Sequence, residues 1–256
     1  MLQNIPQVTK NILILNILMF LLQMYFQSQG TDIDYMLGGH YLNAASFEPY
    51  QIISHMFMHG DFMHILFNMF GLVMFGGFLE KLWGGKRFFI LYMASAFGAF
   101  LLYNSIGIYQ LMEIKSQLPA DFLAHAESII KHSNSISQIQ SEIVAYANSI
   151  PGLPVSQELF DQYISKSLTP IIGASGAIFG IMAAFAILFP NTELMLLFPP
   201  IPIKAKFLIG GYFVYEVYSS IYQSVGDNVA HLAHVGGAIV GAILVIIWRR
   251  QRTNFY

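Results

Sequence analysis

Ser175 lies between Gly173 and Gly176 at the head of an apolar stretch, IIGASGAIFGIMAAFAILFP. A serine hydroxyl is a poor nucleophile until a base takes its proton, and histidine, with a reference pKa of about 6.5, can do so near neutrality. Two histidines, His231 and His234, open another apolar stretch, NVAHLAHVGGAIVG. Gly237 and Gly241 follow His234 at the third and seventh positions, on the same side of a helix, where small residues let two helices approach closely. A third apolar stretch carries His64 and Asn68 in HGDFMHILFN. Four residues apart, they share a helix face, and both could donate hydrogen bonds to an oxyanion. These residue types suit acyl transfer by a serine–histidine pair. No acid is evident to complete a triad. Gly176 and Gly180 also fit plain small-xxx-small packing, so the serine motif alone is weak evidence.

The other polar residues of the apolar stretches are read more blandly. His55 and His59 have the i, i+4 spacing of a zinc pair, but HMFMH lacks the glutamate of the H-E-x-x-H motif. They are expected to make interior polar contacts. Glu216, in the stretch before the paired histidines, is expected to be an interior hydrogen-bonding residue, with substrate gating as the alternative.

Composition explains why apolar stretches must position this chemistry. Of 256 residues, 55% are hydrophobic and 10% charged, and the mean hydropathy is +0.56. An average soluble protein is roughly 25% charged. Zero cysteines exclude disulfides and thiolate chemistry, and a net charge of -2 offers no general attraction to nucleic acid. A helix needs about 20 apolar residues to cross a bilayer. Six stretches approach that length, near 11–27, 62–83, 87–109, 171–189, 205–223 and 229–248. The first is read as a retained helix, since no signal-peptide cleavage site follows MYFQSQG. Asp61 is placed to cap the second.

Lysine and arginine orient the spans, because basic residues stay on the cytoplasmic side of short loops. Lys10 precedes span one, and Lys81, Lys86 and Arg87 lie between spans two and three. Lys204 and Lys206 separate four from five, and Arg249, Arg250 and Arg252 follow six. Both termini are therefore expected in the cytoplasm. Spans two, four and six then begin on the outer face, which puts Ser175, His234 and His64 at similar depth. Ser175 to Phe189 makes only about 22 Å of helix, so the serine should sit below the outer surface at a helix N-terminus, where backbone N–H groups favour negative charge.

The stretch 110–168 breaks the pattern. Phe122, Ile129, Ile136, Ile143 and Ile150 recur every seven residues with no Pro or Gly between them. This spacing predicts one long amphipathic helix, ended by Pro151 and Gly152 and followed by a second around Leu159, Phe160, Tyr163, Ile164 and Leu168. The expectation is a helical hairpin outside the membrane on the outer face.

Taken together, HGDFMHILFN, EKLWGG, GASGAIFG and AHVGGAIVG resemble the rhomboid family of intramembrane serine proteases, in order and on helices two, four and six. The resemblance covers most of 10–250 outside the insertion. It implies an all-α, six-helix membrane bundle forming a single domain over 1–256, with 110–168 inserted between helices three and four. It implies Ser175 as nucleophile, His234 as general base, and His64 and Asn68, with the Ser175 backbone N–H, as the oxyanion hole. Gly173, Gly176, Gly237 and Gly241 are supporting positions, and Phe179 stands where the family often has a tyrosine stacked on the histidine. His231 is then a packing or water-contacting residue. The first outer loop lacks the Trp-Arg pair of some members. The implied activity is peptide-bond hydrolysis in or near transmembrane segments, with membrane proteins as substrates, lipid as surroundings, and no cofactor or metal. The implied location is a bacterial inner membrane. A non-catalytic rhomboid-like binder of membrane helices is the alternative, and a transporter is disfavoured because no paired interrupted helices occur.

Overall fold

The structure is a computed structural model and describes residues 4–195, 200–222 and 229–251. The predicted end of span five at Gln223, and Arg252, lie outside the described residues. In chain order the helices are α1 (Gln7–Ser28), α2 (Ile33–Leu37), α3 (Gln51–Ser54), α4 (Phe62–Gly71), α5 (Gly77–Trp83), α6 (Gly85–Ser116), α7 (Ala120–His132), α8 (Ile136–Ser149), α9 (Gln157–Leu168), α10 (Ser175–Leu188), α11 (Ala205–Ile221) and α12 (His231–Gln251). A π-turn, Leu72–Gly76, joins α4 to α5 in one continuous span, and a 3-10 turn, His55–Phe57, follows α3. Antiparallel β1 (Glu193–Met195) and β2 (Pro202–Lys204), paired Glu193 to Lys204, form a small hairpin that the sequence pattern did not signal.

All six predicted spans are helical, and the fold is a helical membrane bundle. Gln7–Ser28, Phe62–Trp83, Gly85–Ser116 and His231–Arg250 are each long and apolar enough to cross a membrane. By contrast, α10 has 14 residues, about 21 Å at 1.5 Å per residue, and α11 has 17. The predicted start of span four at 171 is corrected to Ser175, because Gly173 has φ +125°, a conformation that L side chains rarely adopt and that keeps the helix from starting earlier.

The chain divides into two compact units. The first comprises residues 1–17, 61–103 and 173–256, and the second 18–60 and 104–172. In the first unit, glycines set the spacing between helices. A Cβ at Gly237 would lie 1.9 Å from the Gly176 carbonyl oxygen, and one at Gly241 would lie 2.3 Å from that of Gly180. Backbone meets backbone along this α10–α12 seam. A Cβ at Gly176 would also meet Ala99 of α6 at 2.4 Å. Buried Glu80 accepts from Val8 N–H at 2.9 Å, Thr9 N–H at 2.7 Å and Thr9 Oγ1 at 2.7 Å. A carboxylate from α5 thus satisfies donors that the first turn of α1 would leave open. At the basic end Trp83 and Trp248 meet edge to face at 5.4 Å, with the Arg87 guanidinium 6.0 Å from the Trp248 ring. Trp and Arg together are an interfacial pairing, in keeping with the basic loops lying on one side.

In the second unit Gln51 is a hub. Its Oε1 accepts from His40 N–H and Glu48 N–H, and its Nε2 donates to the Met36 and Ser46 carbonyls. His40 Nε2–H donates to the Tyr35 carbonyl at 2.9 Å, and His55 Nδ1–H to that of Gln51 at 2.8 Å. Burial pushes each ring down to about 4, so both are neutral at physiological pH and serve as packed polar contacts. Gln23 holds His59 by its backbone, donating to its carbonyl and accepting from its N–H.

The insertion departs from expectation. The predicted helix over 122–150 is broken at Ser133, Asn134 and Ser135 into α7 and α8. Ser133 is extended, and Ser135 caps α8 by accepting from Gln138 N–H. Short polar side chains compete for backbone groups and end helices in this way. The buried stripe follows i, i+4 spacing through Phe122, Ala126 and Ile130, then Ile139 and Ile143, rather than heptads. Phe122 stacks on Tyr146 at 6.0 Å, and Lys115 of α6 reaches Glu127 at 2.6 Å.

Candidate active site

Ser175 is the first residue of α10, and the first bond closing the helix runs from Ile178 N–H to the Ala174 carbonyl. The N–H groups of Ser175, Gly176 and Ala177 therefore precede the intrahelical ladder, and the positive end of the helix dipole lies at the serine. Ser175 Oγ is 2.8 Å from His234 Nε2. His234 is on the first turn of α12, brought to α10 by the Gly237 and Gly241 seam one and two turns further on. Its ring is buried, while Ser175 is only partly covered. Phe179, one turn into α10, lies face to face with the His234 ring at 4.3 Å and 9°. That contact holds the plane of the imidazole. Tyr212 of α11 also meets Phe179, ring centres 5.0 Å apart and tilted by 50°, a neighbour the sequence did not suggest.

Asp61 caps α4 as expected, accepting from His64 N–H at 2.8 Å. Gly173 sits against the His64 ring, since a Cβ there would lie 2.8 Å from His64 Nε2 and 3.5 Å from Ser175 Oγ. The spacing thus brings His64 to the serine with room for nothing larger than glycine between them. Asn68, one turn further along α4, is buried, and its Nδ2 has no hydrogen-bond acceptor among the described residues. A buried amide donor without an acceptor costs about 1–3 kcal/mol, so an acceptor oxygen placed at Nδ2 would recover that cost.

The sequence makes no acid evident beside the histidine, but the structure supplies one, in the glutamate expected to be an interior hydrogen-bonding residue. Glu216 of α11, buried to 1% exposure, places Oε2 2.8 Å from His234 Nδ1 and 2.6 Å from His231 Nδ1. His231 is accordingly no mere packing residue but a partner of the same carboxylate. The three ligand-type atoms lie within 4.8 Å of one another, a set that could hold a metal ion. The 2.6 and 2.8 Å separations are N–H···O distances, however, shorter than the roughly 3.3 Å between neighbouring ligands on a tetrahedral zinc with bonds of about 2.0–2.1 Å. The signal for Glu216 was a lone carboxylate in an apolar span. Its partners could not be read, because no linear spacing relates α11 to α12. His55 and His59 belong to the second unit, held there as described above.

A family model described as "Rhomboid domain" matches residues 46–112 and 143–251. The gap between its two segments falls within the insertion. Among curated proteins, "RHOMBOID-like protein 12, mitochondrial" of Arabidopsis thaliana is 27% identical over 214 residues, covering 83% of this chain and 50% of that protein. "Rhomboid protein 1, mitochondrial" of Saccharomyces cerevisiae is 25% identical over 202 residues, 75% of this chain and 40% of that protein. The chain spans half or less of the length of these relatives.

Proposed function

The chain belongs to the rhomboid family, and from that premise we propose that it is an intramembrane serine endopeptidase that cleaves membrane proteins in or beside their transmembrane segments. The observation carrying this reading is the 2.8 Å contact of Ser175 Oγ with His234 Nε2 at the N-terminus of a short apolar helix. The Oγ proton passes to Nε2 as Oγ bonds to the substrate carbonyl carbon, and the carbonyl electron pair becomes the oxyanion. Asn68 Nδ2, His64 and the Ser175 backbone N–H are the proposed donors to that oxygen. Collapse expels the amine with the proton from His234, and water then releases the acyl group by the same route in reverse. Substrate segments must unwind locally to expose a carbonyl, which favours small or helix-breaking residues at the cut. No cofactor enters these steps.

The protein is an integral membrane protein. We propose that its basic loops and both ends of the described chain face the cytoplasm, in a bacterial inner membrane. The Lys and Arg distribution supports that orientation, and the two relatives carry mitochondrial names. Purified protein is expected to be labelled covalently by a fluorophosphonate, and Ser175→Ala to lose that label. Persistent labelling of a folded Ser175→Ala protein, or no labelling of the wild type, would instead favour a binder of membrane helices without proteolysis.

Asn68→Ala, and separately His64→Ala, should lower turnover of a transmembrane reporter while leaving the bundle assembled. Loss of one oxyanion donor costs about a hundredfold to a thousandfold in soluble proteases, and overlapping donors reduce that. Wild-type turnover in the double variant would remove both from the mechanism.

We further propose that the chain is one membrane domain and that 110–168 lies outside the bilayer, on the side opposite the basic loops, where it governs access of protein substrates. Replacing 118–155, which includes α7 and α8, by a short flexible linker keeps Lys115 on the Asn43 carbonyl and Ser46 on that of Ser167. Labelling by a small fluorophosphonate should persist in this variant, while cleavage of protein substrates changes in rate or selectivity. Loss of labelling in a stably folded deletion variant would overturn the access role.

A further inference from the structure

We propose that Glu216 is a positioning residue that completes a Ser175–His234–Glu216 relay, with His231 holding the carboxylate in place. The inference rests on the serine-protease reading and assigns a function to a residue that the serine–histidine pair leaves without one.

An ionised carboxylate oxygen only accepts hydrogen bonds, so both ring nitrogens that face Glu216 Oε2 must carry hydrogen. For His234 this places the proton on Nδ1, 2.8 Å from Oε2, and leaves the Nε2 lone pair toward Ser175 Oγ, also at 2.8 Å. Without an acceptor at Nδ1, a neutral imidazole can carry its proton on either nitrogen, and the Nε2–H form cannot take a proton from serine. The carboxylate therefore selects the reactive tautomer. It also opposes the charge that develops. When the Oγ–H bond breaks and the Nε2–H bond forms, the ring becomes a cation beside an anion that stays ionised throughout, within a buried pocket where such pairing is strong.

Glu216 is itself held. His231, three residues before His234 and so on the same face of α12, donates Nδ1–H to the same Oε2 at 2.6 Å. The Tyr215 ring lies against His231 edge to face at 6.0 Å. The carboxylate is pinned from two positions of one helix while reaching from another, which fixes how α11 presents it to α12. Together with the stacking of Phe179, the His234 ring is constrained in plane, tautomer and distance from the serine.

The test uses the full chain in detergent micelles or proteoliposomes, with a transmembrane reporter and a fluorophosphonate as probes. Glu216→Gln preserves volume and removes charge, and Glu216→Ala removes the acceptor. Both should lower kcat and the labelling rate, by about a hundredfold or more for Ala, with KM within about twofold, because the loss falls in the transition state. Glu216→Asp should recover part of the rate. In wild-type protein carrying 15N-histidine, His234 should show a protonated Nδ1 and an unprotonated Nε2, and this signature should weaken in Glu216→Gln. Wild-type labelling rates in Glu216→Gln, or a His234 protonated on Nε2 in the wild type, would overturn the relay. Labelling that responds to removal and return of a divalent cation would overturn it in favour of a metal site. Should the wild type not react with the probe, the protease reading fails, and the nitrogen resonances still decide whether the hydrogen-bonded relay exists.

Discussion

His234→Ala and Ser175→Ala should each abolish cleavage of a transmembrane reporter, whereas His231→Ala should keep turnover within about tenfold of wild type. The two histidines are one turn apart and share a carboxylate, so burial and bonding to Glu216 do not separate them. The difference is Nε2. Only His234 presents that atom to Ser175 Oγ, at 2.8 Å, and only its ring is stacked on Phe179. Deleting the base or the nucleophile of such a pair removes one concerted step, so either loss should cost about 10⁴-fold or more, ~5.5 kcal/mol, and the double variant should be no worse than either single one. Removing His231 takes one donor from Glu216 and leaves the bond to His234. Turnover by a folded His234→Ala protein, with His231→Ala inactive, would exchange the roles of the two.

Gly237→Ala is expected to disrupt the site without altering any residue that does chemistry. A methyl there would begin 1.9 Å from the Gly176 carbonyl oxygen, and the obstacle is backbone, which cannot rotate away. Helices α10 and α12 must separate or tilt, and the 2.8 Å reach from His234 to the serine lies one turn along the same seam. Overpacking by a methylene or two typically costs 1–3 kcal/mol, and contact with a rigid carbonyl belongs at the upper end. The expected result is a lower unfolding temperature and little or no fluorophosphonate labelling. Gly210→Ala and Gly211→Ala on α11 are the controls, since nothing lies within 4 Å of a Cβ at either, and alanine favours helix by about 1 kcal/mol over glycine. Wild-type stability and labelling in Gly237→Ala would show that the seam yields more readily than its geometry implies.

What could be read from the sequence follows from which signals are local. The six spans were legible from apolar run length, and the α10–α12 seam from Gly176, Gly180, Gly237 and Gly241, because spacing along one helix fixes which residues share a face. Ser175 and a histidine of α12 were expected together on the strength of those faces, the choice of His234 and the ring of Phe179 against it came only with the family resemblance, and the structure brings Ser175 Oγ, His234 Nε2 and the Phe179 ring together. Glu216 was noticed but not placed, since its direction depends on how α11 is rotated against α12, and nothing within either helix encodes that rotation. The division of α7 from α8 failed for another reason. The reading rested on a seven-residue recurrence that included Ile136 and Ile150, both only partly buried, and on the absence of Pro and Gly, whereas the break is made by Ser133, Asn134 and Ser135. The β1–β2 hairpin rests on three residues a side, too short for alternation to register.

The π-turn at Leu72–Gly76 bears on how this span tolerates changes in length. A π-turn accommodates one residue more than an α-helical turn holds, while the helix on either side keeps its own facing. His64 lies before it and Glu80 after it, and each must point in its own direction, the first to Gly173 beside the serine and the second toward the start of α1. Removing one residue within 72–76 would relax the bulge into ordinary helix and leave both aimed as they are. The same deletion in α4 or α5 would turn one by roughly 100° relative to the other. The bulge is therefore the place where evolution can shorten this helix by a single codon without severing the contact of His64 at the serine from the anchor of α1.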